Sequence, residues 1–218
     1  MSIALSFANL LGGVILFCAF LQIPVRRIAG MLLLCRLLAF TLAGEAVLQA
    51  VLGHEWPLYG VGLLVLAVQG VCLPWAVRGM GQLHKAEWAV EMIMPVNLAL
   101  LVGLLPVGLA VKSLLPGAGA VGSSSVLPLV PGALMISFSV VLLGLWLIII
   151  KKQIVARVMG FVVLVDGLVL AVETIPGLGM AGFIAVMVLL GLGSGLMGCA
   201  YREQQAAMAS SRMDGAEL

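Results

Sequence analysis

The chain is built from uninterrupted apolar runs of about twenty residues, separated by short polar breaks. A helix of that length crosses the roughly 30 Å hydrocarbon core of a bilayer. These runs lack the polar–apolar alternation of membrane β-strands, and lipid offers the backbone no hydrogen-bond partner, so we expect helices. Because 63% of the residues are hydrophobic and 9% charged, with a mean hydropathy of +1.27, the sequence predicts an all-α, polytopic integral membrane protein.

Hydropathy predicts seven transmembrane helices in a single transmembrane helical domain that covers residues 1–203, with a polar tail over 204–218. The predicted spans are about 3–24, 29–53, 57–77, 89–113, 127–150, 154–175 and 178–201. Positive charge follows the first apolar run instead of preceding it, which favours a retained first span over a cleavable signal peptide.

The distribution of cations predicts the orientation. With seven crossings, most of them fall on one side of the membrane: Arg26, Arg27, Arg78, Lys85, Lys151, Lys152 and Arg202. The opposite loops carry only His54 and Lys112. Because cations concentrate in cytoplasmic loops, the N-terminus is predicted outside and the C-terminal tail in the cytoplasm.

Four ionisable residues stand out inside the predicted spans, namely Arg36, Glu45, Asp166 and Glu173. A charge at membrane depth costs several kcal/mol on most scales, so each is a candidate functional residue. Asp166 and Glu173 are seven residues apart, which places both on one helix stripe with about 10.5 Å between their backbones. That gap suits one or two bridging waters, which makes the pair a candidate proton path.

Other interpretations of these residues stay open. Asp166 either meets a structural partner, such as a lysine of a neighbouring subunit, or lines a proton path or a polar lumen. Glu173 and Glu45 lie near the outer ends of their spans and can reach the interface. Arg36 and Glu45 leave opposite faces of one helix, so they cannot pair, and Arg36 can snorkel towards the cytoplasmic face.

Several function classes have no support in the sequence. There is no catalytic triad, phosphate loop, metal-ligand cluster or pair of haem histidines, so no catalytic residue, cofactor or metal is predicted. The four cysteines lack CxxC spacing and are interpreted as apolar packing residues. No basic patch with interleaved aromatics suggests nucleic acid. Isolated polar residues are expected to form hydrogen bonds between helices: Gln69, Asn97, Ser137 and Ser139.

The stretch GLWLIIIKKQIVARVMGFVVLVDG, over residues 144–167, resembles the hydrogenase-4 component E family, in which a basic pair precedes a G-[FY]-x-[LV]-x-E-N-G pattern. The VCLPWAVR segment over residues 71–78 and the tight Pro176–Gly177 turn also fit. The resemblance implies seven spans, of which the last three are similar to the K subunit of respiratory complex I. It also implies a non-redox, non-catalytic role beside antiporter-like proton-pumping subunits.

The polar positions of that family are only partly matched here. The family's glutamate falls on Val165 and its asparagine on Asp166, while a lysine of the third span falls on Gln69. Acidic positions of the last span fall near Phe183 and Leu189. These departures favour a scaffold role over direct proton conduction by this chain.

We therefore expect a membrane-arm connector subunit of a hydrogenase-4-type, complex I-like respiratory oxidoreductase complex. Its partners would be antiporter-like membrane subunits and the lipid bilayer, in the cytoplasmic membrane of a prokaryote. The alternative is a stand-alone ion transporter or channel.

Overall fold

The computed structural model describes residues 2–53, 56–75, 90–114 and 132–173, and 182, 184–185, 188–189, 191–193, 195, 198–199 and 202–203. The continuous helices within these ranges are α1 (Ser2–Leu21), α2 (Ile28–Gly53), α3 (Trp56–Trp75), α4 (Val96–Leu114), α5 (Gly132–Ile150) and α6 (Ile154–Glu173). Every described residue from 182 onward is also helical, and no strand occurs in the described ranges. The predicted all-α fold class is confirmed for this part of the chain.

Within the described residues, three helices are long and apolar enough to cross a membrane: Ile28–Val51, Trp56–Trp75 and Ile154–Glu173. Shorter apolar helices cover Leu10–Leu21, Val96–Val111 and Leu134–Ile150. The predicted membrane character therefore rests on three full-length apolar helices and three shorter ones. The predicted span ends agree with the helix ends to within a few residues in α1, α2 and α6.

The predicted start of the fourth span is wrong in its described part. Helix α4 begins at Val96, and residues 90–95 are not helical. Pro95 directly precedes the helix, where its missing N–H costs nothing. The Val90 N–H donates a hydrogen bond to the Arg26 carbonyl at 2.7 Å instead of entering a helix. Hydropathy alone does not detect this, because the apolar residues before Pro95 score the same in a non-helical segment as in a helix.

Backbone hydrogen bonds join three connecting segments at one end of the bundle. Val90 binds Arg26, the Lys152 N–H donates to the Glu91 carbonyl at 3.2 Å, and Met92 forms an isolated antiparallel bridge with Lys151. The end formed by residues 22–27, 90–93 and 150–153 is called the basic end below.

The helices pack around one main apolar core that draws residues from α1 to α6. Leu189 packs against it, and a Cβ at Gly193 would lie 3.3 Å from Phe161. The helical residues beyond position 181 therefore belong to the same bundle. A Cβ at Gly195 or Gly198 would meet nothing within 4 Å, so those two glycines face away from the bundle.

Glycines set the close contact between α5 and α6. A Cβ at Gly160 would lie 2.9 Å from the Ile148 nitrogen, and one at Gly167 would lie 2.6 Å from the Val141 nitrogen. A Cβ at Gly144 would likewise collide with the α6 backbone. Small residues let membrane helices approach this closely. The glycines of the 144–167 stretch therefore have a packing role in this chain.

Candidate functional site

Asp166 lies along the buried face of α6 and is 1% exposed. Gln69 of α3, also 1% exposed, donates a hydrogen bond from Nε2 to Asp166 Oδ1. The prediction that Gln69 forms an interhelical hydrogen bond is confirmed. Asp166 therefore has a polar partner within its own chain, where sequence reasoning also considered a lysine from a neighbouring subunit.

A local irregularity in α3 accompanies the position of Gln69. Residues Leu66–Cys72 form a π-helical segment, in which the Leu73 N–H bonds the Val68 carbonyl five residues earlier. A π-helical turn holds more residues than an α-helical one, so it changes the directions in which later side chains leave the helix. Such segments are frequent at functional sites. Gln69 lies inside this segment and is its buried member.

Beyond the Gln69–Asp166 contact, on the side away from the basic end, lie two further buried acidic side chains, Glu173 and Glu45. Glu173 follows Asp166 on the buried face of α6, as the seven-residue spacing predicts, and is 7% exposed. Glu45 of α2 is 2% exposed. Glu173 is within electrostatic range of both Glu45 and Asp166. Both glutamates are buried in the bundle, so the interpretation that they reach out to the interface does not describe their positions.

Gln22, which the sequence did not single out, and Cys35, which was interpreted as an apolar packing residue, continue the line of buried polar side chains towards the basic end. Gln22, fully buried in the turn after α1, donates from Nε2 to Cys35 Sγ at 3.7 Å. The Cys35 thiol in turn contacts Met159 Sδ at 3.6 Å and lies within electrostatic range of Asp166. The sequence feature that could have indicated this part of the site is Gln22 itself, an amide at the end of an apolar run.

These side chains form a buried polar row, which comprises Gln22, Cys35, Gln69, Asp166, Glu173 and Glu45. Several of its oxygens have no hydrogen-bond partner among the described residues: Gln22 Oε1, Gln69 Oε1, Asp166 Oδ2, both Oε atoms of Glu173 and Glu45 Oε2. Buried polar atoms are nearly always hydrogen-bonded to protein or to ordered water. The row is thus a place where water or an exchangeable proton lowers the free energy of the bundle.

Arg36 is not part of the buried polar row. It is half-buried and borders an open groove on the outer surface of α1 and α2, whereas Glu45 of the same helix is inside. This agrees with the prediction that the two leave opposite faces of α2. Arg157, near the start of α6, donates a hydrogen bond from Nε to the Lys151 carbonyl at 2.8 Å.

Lys151 is fully buried at the basic end, although the sequence suggested an ordinary loop cation. Its Nζ donates to the carbonyls of Ile23 and Val25, each at 3.0 Å, which fastens the chain after α1 to the α5–α6 connection. Burial, with a smaller contribution from the nearby Arg26 charge, lowers the pKa of Lys151 to about 8.

Other predicted polar residues do not bridge helices. The Ser137 and Ser139 hydroxyls donate to carbonyls of their own helix, at 2.8 Å each, and Asn97 is exposed. The serine prediction is wrong because a hydroxyl in a helix finds the carbonyl three or four residues back more readily than a distant partner. Val165 is buried, and Phe183 lies outside the described residues.

No group of three His, Cys, Asp or Glu side chains that could hold a metal ion occurs in the described ranges. No protein-family model, no curated protein and no solved structure matches the chain.

Proposed function

We propose that this chain is a non-redox connector subunit in the membrane arm of a hydrogenase-4-type, complex I-like energy-converting complex. It packs between antiporter-like subunits in the cytoplasmic membrane of a prokaryote. It crosses the membrane seven times, with the N-terminus outside and the C-terminus in the cytoplasm. Its buried polar row contributes to a hydrated proton axis.

The observation that carries the proton axis is the buried polar row with its unpartnered oxygens. Carboxyl groups inside a helix bundle are costly and are retained at ion and proton paths. Glu173 has no direct hydrogen bond to Asp166 or Glu45, so proton transfer along the row requires bridging water. The spacing of Asp166 and Glu173, about 10.5 Å between backbones, leaves room for it.

The contact between Gln69 and Asp166 bears on the departures from the family pattern. In the family that the chain resembles, a lysine occupies the position of Gln69. The family's glutamate occupies the position of Val165, one residue before Asp166. Here these two helices meet through an amide and a carboxyl group. A neutral donor leaves the carboxyl group more easily protonated than a lysine would, which suits a proton-exchanging site.

The gathering of cations at the basic end supports the proposed orientation. Arg26, Lys151 and Lys152 lie on connections that the structure joins by backbone hydrogen bonds. Cytoplasmic loops carry the excess of lysine and arginine in membrane proteins. The basic end is therefore assigned to the cytoplasmic side, and cysteine labelling at positions 152 and 56 tests this. Reagent added from outside should reach the Trp56→Cys variant and not the Lys152→Cys variant.

Co-purification tests the connector role. A tagged chain, extracted in a mild detergent, should bring down antiporter-like membrane proteins and a hydrogenase-like peripheral arm. Recovery of the chain alone, with translocation activity after reconstitution, would contradict it.

A stand-alone ion transporter or channel is the second candidate. The observation in its favour is that the carboxyl groups of Asp166 and Glu173 lie on one buried face of α6. Proteoliposomes that contain only this protein distinguish the two functions: a transporter dissipates a pH gradient, and a connector does not.

A further inference from the structure

An open groove of about 390 Å³ lies on the outer surface of α1 and α2. Its lining consists of Leu11, Leu33, Arg36, Leu37, Phe40 and Thr41. Pockets of 300 to 1,000 Å³ are the usual size of small-molecule sites, which combine an apolar lining with a few polar groups. This groove has that composition, with apolar side chains along its length and one guanidinium.

Arg36 is the charged group of this lining, and its buried Nε has no hydrogen-bond partner among the described residues. The Thr41 hydroxyl already donates to its own helix, at 3.1 Å from the Leu37 carbonyl and 2.9 Å from that of Leu38. Arg36 therefore supplies the donor that remains available in the groove. An unpaired guanidinium beside apolar side chains is costly, so an anionic acceptor in the groove is favoured.

The depth of Arg36 points to the source of that anion. Arg36 lies eight residues after the start of α2, or about 12 Å along the helix from the basic end. Helical side chains lean towards the helix N-terminus, and a long arginine side chain can extend farther in that direction. In a bilayer whose surface is at the basic end, this position would place the guanidinium between the acyl region and the headgroup level.

We propose that this groove binds one anionic phospholipid, whose phosphodiester pairs with Arg36 and whose acyl chain lies along Leu33, Leu37 and Phe40. Charge complementarity supports the phosphate, because arginine forms strong bidentate hydrogen bonds with phosphate oxygens. The length of the apolar lining supports the acyl chain. An acidic side chain of a neighbouring protein would pair with Arg36 and leave that lining uncovered.

Native mass spectrometry of the full chain tests the proposal. The protein is purified in a mild detergent, together with any subunits that accompany it, and titrated with palmitoyl-oleoyl phosphatidylglycerol. We expect one tightly retained phosphatidylglycerol in the wild type. Arg36→Gln should weaken its retention at least about tenfold, and Arg36→Lys should weaken it less. Phosphatidylcholine should be retained more weakly than phosphatidylglycerol, because its choline group offsets the phosphate charge.

The matched control is Arg26→Gln, which removes the same charge at the same end but outside the groove. It should leave the retained lipid in place. Leu37→Trp, which fills the groove and keeps Arg36, should displace the lipid. Retention of phosphatidylglycerol by a folded Arg36→Gln variant at the wild-type level would overturn the proposal. If Arg36→Gln loses a protein partner but keeps the lipid, the proposal is also overturned, because Arg36 then pairs with an acidic residue of another subunit.

Discussion

Gln69 Nε2 donates a hydrogen bond to Asp166 Oδ1 across the contact between α3 and α6, where both side chains are 1% exposed. This bond connects the π-helical segment of α3 to the buried carboxyl group on which the proposed proton axis depends. Removing either side chain leaves the other buried and without this hydrogen-bond partner. The pair should therefore respond to mutation as a unit.

Gln69→Leu should lower the free energy of unfolding by about 1.5–3 kcal/mol, because Asp166 loses its donor in a buried site. The double variant, Gln69→Leu with Asp166→Leu, should be more stable than the sum of the single changes predicts. Unfolding in mixed micelles measures all three. Asn97→Leu, an exposed polar change in α4, is the control. Strict additivity in the cycle would contradict the contact.

Lys151→Met should destabilise the chain by about 1–3 kcal/mol, because the carbonyls of Ile23 and Val25 lose their side-chain donor. Lys152 is the control, since its Nζ is 3.6 Å from Glu91 in a pair whose side chains are 55% and 72% exposed. Surface ion pairs of this kind contribute about 0–1 kcal/mol. Equal effects of Lys151→Met and Lys152→Met on unfolding would contradict the buried position of Lys151.

Stability should also depend on pH through Lys151. Its pKa of about 8 in the folded protein is below the ordinary value of 10.5, so the unfolded chain binds this proton more tightly. Below pH 8 the penalty for the buried charge is fully present. Stability should rise as the pH increases from about 8 towards 10.5. Thermal unfolding should detect this rise in the wild type and in Lys152→Met, and a rise of the same size in Lys151→Met would contradict it.

Gly160→Ala should cost about 1–3 kcal/mol, because its Cβ would lie 2.9 Å from the Ile148 nitrogen and would force α5 and α6 apart. Gly13→Ala in α1 is the matched control, since its Cβ would meet nothing within 4 Å. The control should leave stability unchanged or raise it by about 0.5–1 kcal/mol, because alanine has a higher helix propensity than glycine. Comparable losses in the two variants would show that the close helix contact is not the cause.

Hydropathy and helical periodicity predicted much of this fold, for physical reasons. Apolar length fixes helices in a bilayer, and a seven-residue spacing fixes a shared helix face, so the common face of Asp166 and Glu173 followed directly, whereas the burial of Glu173 did not. Gln69 was recognised as a hydrogen-bonding residue because an amide inside an apolar span needs a partner.

Other features depend on the tertiary arrangement and have no local signal. The non-helical backbone before Val96 forms hydrogen bonds with Arg26, more than sixty residues earlier, and with Ile150 and Lys152, more than fifty residues later. The burial of Lys151 depends on where the chain after α1 passes. The π-helical segment around Gln69 is not distinguishable from a regular helix in an apolar run. Likewise, the link from Gln22 to Cys35 appears only when α1 and α2 are placed side by side.

Proton translocation by the Asp166→Asn variant of the assembled complex tests the central proposal most directly. Asparagine keeps an oxygen that can accept the Gln69 hydrogen bond but cannot carry the proton, so assembly should be preserved. Proton uptake into inside-out vesicles, followed with a pH-sensitive dye during electron transfer, should fall at least about tenfold. Glu91→Gln, which removes an exposed carboxyl group at the basic end, should pump normally. Normal pumping by a fully assembled Asp166→Asn variant would contradict the account.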